Sequence, residues 1–493
     1  MRTSAPALFV CAAAAVAWML PSTAAAHSFV EPYLLPVPFW LYAYACAATL
    51  VATFAIFGYF HGHESAHNAA TISTIASLPT DAAATRFLLA VLRGGALACL
   101  VLTVVAGFVG TADPLQNIAM PLFWMVFLLG FAYVVALIGD IFALANPWRT
   151  LVHLIARVAP TYDTARFSYP AWLGYYPALA AYIALIWLEL FVLPKPATLS
   201  VALTTYTLIT FAGVYAFGSR QWLRHGEMFG VFFRIVSWMA PIEYAPAEDA
   251  VRIRWRPPLR GAIDARPDHV ALVLFILFML SSTTYDAIHD TDLWLELYWQ
   301  HLVPFARPLW GTDMVQSQGV LTQGYHVYQR IGLLLSPLAY FGLYVLMLAW
   351  AKQLTRSPIP VAVLALDFAP SLVPIAIVYN VTHYYTLLLM QATKLARVAT
   401  DPFGFGWNLL GLGISEPTPA LDMGFVWHSQ VALILIGHIA SVYLAHVTAT
   451  RVFSTRKHAI VSQIPLLLLM IAYTTIGLYI LSLPIGVPQI VGD

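Results

Sequence analysis

The chain alternates long apolar stretches with short polar intervals, and each stretch is near the roughly 20 residues that cross a bilayer core. Ten such segments follow Glu31-Pro32-Tyr33, at approximately 37–60, 94–111, 120–144, 171–193, 199–218, 269–286, 328–350, 363–391, 425–448 and 462–484. They predict an all-α fold, a polytopic transmembrane helix bundle of about 10 helices forming a single integral membrane domain over residues 27–493. Residues 1–26 have another character. Arg2, an apolar run from Ala7 to Leu20, Pro21 and a closing Ala24-Ala25-Ala26 form the pattern of a cleaved signal peptide. Cleavage there leaves His27 as the mature N-terminus outside the cytoplasm; the alternative is that the leader stays as an anchor.

Composition narrows the class. With 60% hydrophobic and 10% charged residues and a mean hydropathy of +0.77, the 493-residue chain is not a string of soluble domains. A formal net charge of +1 offers no basic face for nucleic acid. The three cysteines, Cys11, Cys46 and Cys99, provide no disulfide framework and no zinc pattern.

Charge placement orients the bundle. With the mature N-terminus outside, loops 61–93, 145–170, 219–268, 351–362 and 449–461 are cytoplasmic and hold 18 of the 24 Lys and Arg residues. Moving one span would reverse every later loop, so the bias supports both count and orientation. The expected location is a bacterial inner membrane, with both mature termini periplasmic. The loop 219–268 is the basic one: its apolar run Val231–Ile242 predicts an interfacial helix, and Arg252, Arg254, Arg256 and Arg260 predict contact with anionic lipid headgroups. The external loops are 287–327, which is acidic, and 392–424.

Ionisable groups inside apolar segments are candidate chemistry, because hydrocarbon penalises them unless they are paired or used. The stretch Pro370–Gln391 carries two prolines, an Asn380-x-x-His383 pair, Tyr384 and Tyr385. His383 falls about 12 Å below the external surface. An outward cavity could gather His383, either His428 or His438, and Asp286 from the polar end Ser281-Ser282-Thr283-Thr284-Tyr285-Asp286. The alternative is that His383 only bonds a neighbouring helix. In the ninth segment, His428 and His446 return to one face but stand about 27 Å apart, so they cannot share a site.

Glu189, within an apolar run, must be paired or neutral. Asp140 is expected to pair with Arg149 or another loop arginine. His61-Gly62-His63-Glu64-Ser65-Ala66-His67 departs from zinc-protease order and reads as a solvated loop. His27, with an amine and a ring nitrogen together, could chelate a metal. Nucleophile elbows, Walker loops and dinucleotide fingerprints are absent from the sequence.

Several stretches together resemble the bacterial membrane proteins known as fenitrothion hydrolases. They are Ala26-His27-Ser28-Phe29; Gly139-Asp140; Asn146-Pro147-Trp148-Arg149; Trp187-Leu188-Glu189-Leu190; Gly226-Glu227-x-Phe229; the polar end of the sixth segment; Ser371–Ala376 leading to His383-Tyr384; and Gly437-His438-Ile439 leading to His446. The family's Tyr-His pair stands here as Tyr379-Asn380, one ligand fewer for a His-rich site. The resemblance implies hydrolysis of organophosphorus triesters, fenitrothion giving 3-methyl-4-nitrophenol and dimethyl phosphorothioate. It brings in a lipophilic small-molecule substrate, membrane lipids and a homologous membrane subunit as partners.

Triester hydrolysis needs an activated water and a group that stabilises charge on the phosphoryl oxygen or sulfur. The expected catalytic residues are His383, Asp286, His438 and Glu189. A divalent metal ion is expected on His383 and His428 with Asp286, completed by His27 or His326, with Tyr384, Tyr385 and Trp427 packing the substrate ring. Two rivals stay open: a transporter or metal-handling permease using broken helices, and a haem-b electron carrier with His383 and His438 as axial ligands.

Overall fold

The computed structural model describes residues 25–26, 33–34, 37–60, 72–192, 195–247, 249–289, 291–305, 314–411 and 422–482. The leader up to Ala24, His27 and the His61–His67 cluster lie outside these. Among the described residues, nine helices are long and apolar enough to cross a membrane. They are α1 (Phe39–Tyr59), α2 (Ala83–Val109), α3 (Pro121–Ile138), α6 (Pro196–Phe217), α9 (Val270–His289), α10 (Gly319–Thr355), a broken helix within Val361–Ala392, α13 (Met423–Val452) and α14 (Arg456–Ser482). The remaining expected span is helical but shorter, α5, Tyr176–Phe191. The break divides α11 (Val361–Phe368) from α12 (Val373–Thr400) at a tight turn over Ala369–Leu372. Pro370 and Pro374 fall at the start of that turn and of α12, where a missing N–H costs nothing.

Several boundaries move outward. Here α2 begins at Ala83 rather than 94, so Arg86 and Arg93 ride on it, and α10 and α12 extend into what the sequence suggests are external loops. Long amphipathic ends continue a helix after its apolar part is finished, and hydropathy alone does not see them.

Helix α9 is the axis of the bundle. It is buried along nearly its whole length and packs against α5, α10, α12 and α14. Two glycines close the neighbouring contacts: a Cβ on Gly437 of α13 would lie 2.1 Å from Val378 of α12, and one on Gly477 of α14 would lie 2.7 Å from Tyr379. The Gly437-His438 pair is therefore a close-packing feature at its first residue.

The basic segment 219–268 is not a peripheral loop with an interfacial helix. It contains α7 (Ser219–His225) and α8 (Met228–Val236); α8 is apolar but for Arg234 and largely buried, with Phe229 at 1% and Val231, Phe233 and Ile235 at 0% exposure. An apolar surface that wide belongs against other helices; α8 packs on α3, α5 and α12. Of the arginines that follow, Arg252 and Arg254 lie on a strand. β3 (Ala250–Trp255) pairs antiparallel with β1 (Ser73–Pro79) on one side and β2 (Ile242–Pro246) on the other. Arg254 and Arg256 each stand 3.8 Å from Glu243, and Arg256 also donates to the Ala240 and Ser237 carbonyls. Alternation of charge with Val251, Ile253 and Trp255 was the strand signal.

Contacts sort the loops into two groups, as alternating spans require. The β1–β3 pairing joins the first and third expected cytoplasmic loops, and Arg456 donates to Gly58 and Tyr59 carbonyls. On the opposite side, Thr111 and Ile118 amides donate to Phe403 and Pro402 carbonyls.

Candidate functional site

The C-terminal turns of α9 bring Ser282, Thr283 and Asp286 to one interior face, opposite Asn380, Tyr384 and Leu387 of α12. These residues, with Tyr182, Ile186 and Glu189 of α5, Phe232 of α8 and Trp124–Leu129 of α3, enclose a cavity of about 60 Å³. The first ten residues of α3 are π-wound, a rare form that collects at functional sites.

Asp286 is the hub. Its Oδ2 accepts hydrogen bonds from His383 Nε2 at 2.9 Å and from the Tyr384 hydroxyl at 2.5 Å. His289 Nδ1 donates to the Asp286 carbonyl at 2.8 Å and lies 4.0 Å from Oδ1. Neighbours on a helix point about 100° apart, yet His383 and Tyr384 reach one oxygen because the carboxylate sits between them; their rings meet edge to face at 4.5 Å. Glu189 lines the same cavity without a hydrogen bond to any described residue, and so does Asn380.

The structure thus joins three of the four expected catalytic residues, Asp286, His383 and Glu189. It does not join His438. That residue is 2% exposed, its Nδ1 bonds the Ile434 carbonyl at 2.9 Å, its Nε2 has no partner, and it does not line the cavity.

The expected metal set also disperses. His428 is exposed on α13 with both ring nitrogens engaged, Nδ1 with the Gly424 carbonyl at 2.7 Å and Nε2 with the Tyr42 hydroxyl at 3.3 Å. His326 is exposed on α10 beside Tyr325. Among the described residues, no three His, Cys, Asp or Glu side chains are grouped to hold a metal; His27, expected to complete the set, lies outside them. His438, the second expected haem ligand, bonds the Ile434 carbonyl and does not line the cavity beside Asp286. Of the three ring-packing aromatics, Tyr384 is in the site. Tyr385 instead bonds Ser429 at 2.6 Å, and Trp427 is fully buried against Tyr42.

The sequence did not single out Tyr182, whose phenol approaches Ser282 across the cavity. A tyrosine in an apolar helix is too common to signal this without knowing which face looks inward. Glu227 was also passed over as chemistry. It is 0% exposed, and it accepts from Tyr206 (2.6 Å), Asn146 (2.9 Å) and the amides of Phe229 (3.0 Å) and Gly230 (2.8 Å). Burial pushes its carboxyl up, and those four donors pull it back. Asp140 forms no ion pair with Arg149; its Oδ1 accepts from the Ala143 amide at 2.9 Å, while Arg149 donates to the Ala143 carbonyl at 2.8 Å.

Fold and site together define a polytopic all-α membrane protein with a carboxylate–imidazole–phenol centre inside its bundle. No family model, no curated protein and no solved structure matches the chain.

Proposed function

We propose that the protein is a membrane-embedded hydrolase of lipophilic organophosphorus triesters, with fenitrothion as the type substrate and His383 as general base. The observation that carries this reading is the 2.9 Å bond from His383 Nε2 to Asp286. It supports a tautomer with hydrogen on Nε2 and a basic lone pair on Nδ1, and a carboxylate placed to stabilise the imidazolium that forms. In the proposed step, Nδ1 takes a proton from water as the water oxygen bonds to phosphorus. The bond from phosphorus to the aryl oxygen breaks, 3-methyl-4-nitrophenolate and dimethyl phosphorothioate leave, and the imidazolium returns its proton to solvent. Tyr384 holds the carboxylate in place for that imidazolium. A 60 Å³ cavity admits water but not the triester, so the ester meets the imidazole from outside it. No step is routed through a metal.

The resemblance in sequence supports the same substrate class, a bacterial inner-membrane location with periplasmic termini, and a homologous subunit as partner. The test is nitrophenol release from fenitrothion by protein purified with and without a co-expressed homologue. Release that His383→Ala leaves unchanged, at equal expression, overturns the assignment.

A second reading has its own observation. Glu189 and Asp286 share one small interior cavity, an arrangement suited to carrying protons in a coupled permease. Proton uptake into vesicles with no ester turnover favours that reading.

A further inference from the structure

A second cavity, of about 410 Å³, opens on the side of the bundle that carries the β-sheet, and its charged lining is mostly positive. Arg149 and His153 come from α4 (Pro147–Val158), Arg220 and Arg224 from α7, and Arg234 from α8; Asp140 is the only acid among them. Guanidinium groups stay charged in proteins, so four fixed positive charges face one carboxylate. None of the four comes within 4.0 Å of an acidic side chain among the described residues.

Their hydrogen bonds are likewise incomplete. Arg234 Nη1 donates to the Arg224 carbonyl at 3.0 Å, but its Nη2 is buried with no partner among the described residues. An unpaired charged donor away from water is costly unless something accepts from it. The same field is felt by His153, whose imidazole is held below its ordinary range, first by partial burial and then by Arg149 and Arg93. Asp140 offsets part of the charge, but its Oδ1 is taken by the Ala143 amide, and burial favours its neutral form.

The geometry points to an anion site for a phosphate group in this cavity, with Arg234 and Arg149 as its inner ligands and Arg220 and Arg224 at its rim. Phosphate suits it because guanidinium forks match its oxygens in pairs and its charge of about −1.5 to −2 answers the surplus here. Two sources carry that chemistry, a soluble phosphate and a lipid headgroup. The lipid source has a structural argument as well: Phe142 lines this cavity and also a partly open apolar groove of about 360 Å³, walled by Phe123, Phe127, Phe131 and Trp148 and suited to an acyl chain. The inference is independent of the hydrolase reading.

The test uses the full chain in nanodiscs of phosphatidylcholine alone. Inorganic phosphate is titrated at fixed ionic strength, and in a second arm phosphatidic acid is added to the bilayer, with thermal unfolding as the readout. Stabilisation by inorganic phosphate assigns a soluble ligand; stabilisation by phosphatidic acid alone assigns a headgroup. In either case Arg234→Gln should weaken the response about tenfold or more, Arg220→Gln, at the exposed rim, by less, and Arg252→Gln, on an exposed strand position, not at all. Should Arg234→Gln fail to fold, Arg149→Gln takes its place. No response in either arm, or an equal response in Arg234→Gln or its Arg149→Gln replacement and in Arg252→Gln, overturns the site.

Discussion

Glu227 and Asp286 are both carboxylates enclosed by helices, yet one is surrounded by donors on every side and the other opens on a cavity. Glu227 has four hydrogen bonds, two of them from the first amides of the helix it caps, and no exposed surface. Nothing is left for a ligand to satisfy, so it acts as a fastener between α6, α4 and α8. Asp286 spends one oxygen on His383 and Tyr384, keeps 18% of its side chain accessible, and faces an unpartnered Glu189. Burial is shared; unfinished hydrogen bonding separates a site from a support.

That contrast can be broken by substitution. His383→Ala should carry the largest effect, a loss of roughly 10²–10⁴ in kcat/KM for fenitrothion, read by nitrophenol absorbance. Next comes Glu227→Ala, which strands four donors and should cost roughly 3–5 kcal/mol, seen as a lowered Tm and poor recovery from membranes. If its damage appeared in turnover alone, with Tm intact, the division between the two carboxylates would collapse. Tyr384→Phe removes one bond to a carboxylate, worth about 1.5–3 kcal/mol, and should lower kcat more than it raises KM. Glu189→Gln should change hydrolysis by less than about tenfold, whereas abolished proton uptake into vesicles would move the protein to the permease class. The smallest effect belongs to His428→Ala and to chelators, both of which should leave turnover intact; activity lost to a chelator and restored by a divalent metal would end the metal-free mechanism.

The membrane class, nine of the ten spans and the pairing of His383 with Asp286 were legible because hydrocarbon imposes a strong rule: polar groups there need partners. The same rule flagged Glu189. It failed at His438, since it says that a histidine needs a partner without saying which one, and a carbonyl one turn back on its own helix was enough for one nitrogen. It failed at α8 too. A twelve-residue run that is apolar but for Arg234 and Ser237 reads equally well as an interfacial helix or as a core element, and only packing against α3 and α5 decides. The arginine-bearing strand was missed for a related reason, because its partner β1 lies in another loop, about 170 residues earlier.

That separation has a consequence for how the chain assembles. The strand after α1 leaves the ribosome with nothing to pair with, and at roughly 5–20 residues per second its complement follows some ten to thirty seconds later. Spans α2, α3, α5 and α6 are inserted meanwhile. When β3 arrives it clasps β1 and draws the first and third loops together. The small sheet is therefore a latch that registers the completion of the N-terminal half, and a nascent chain truncated before Ala250 should remain open to proteolysis within loop one.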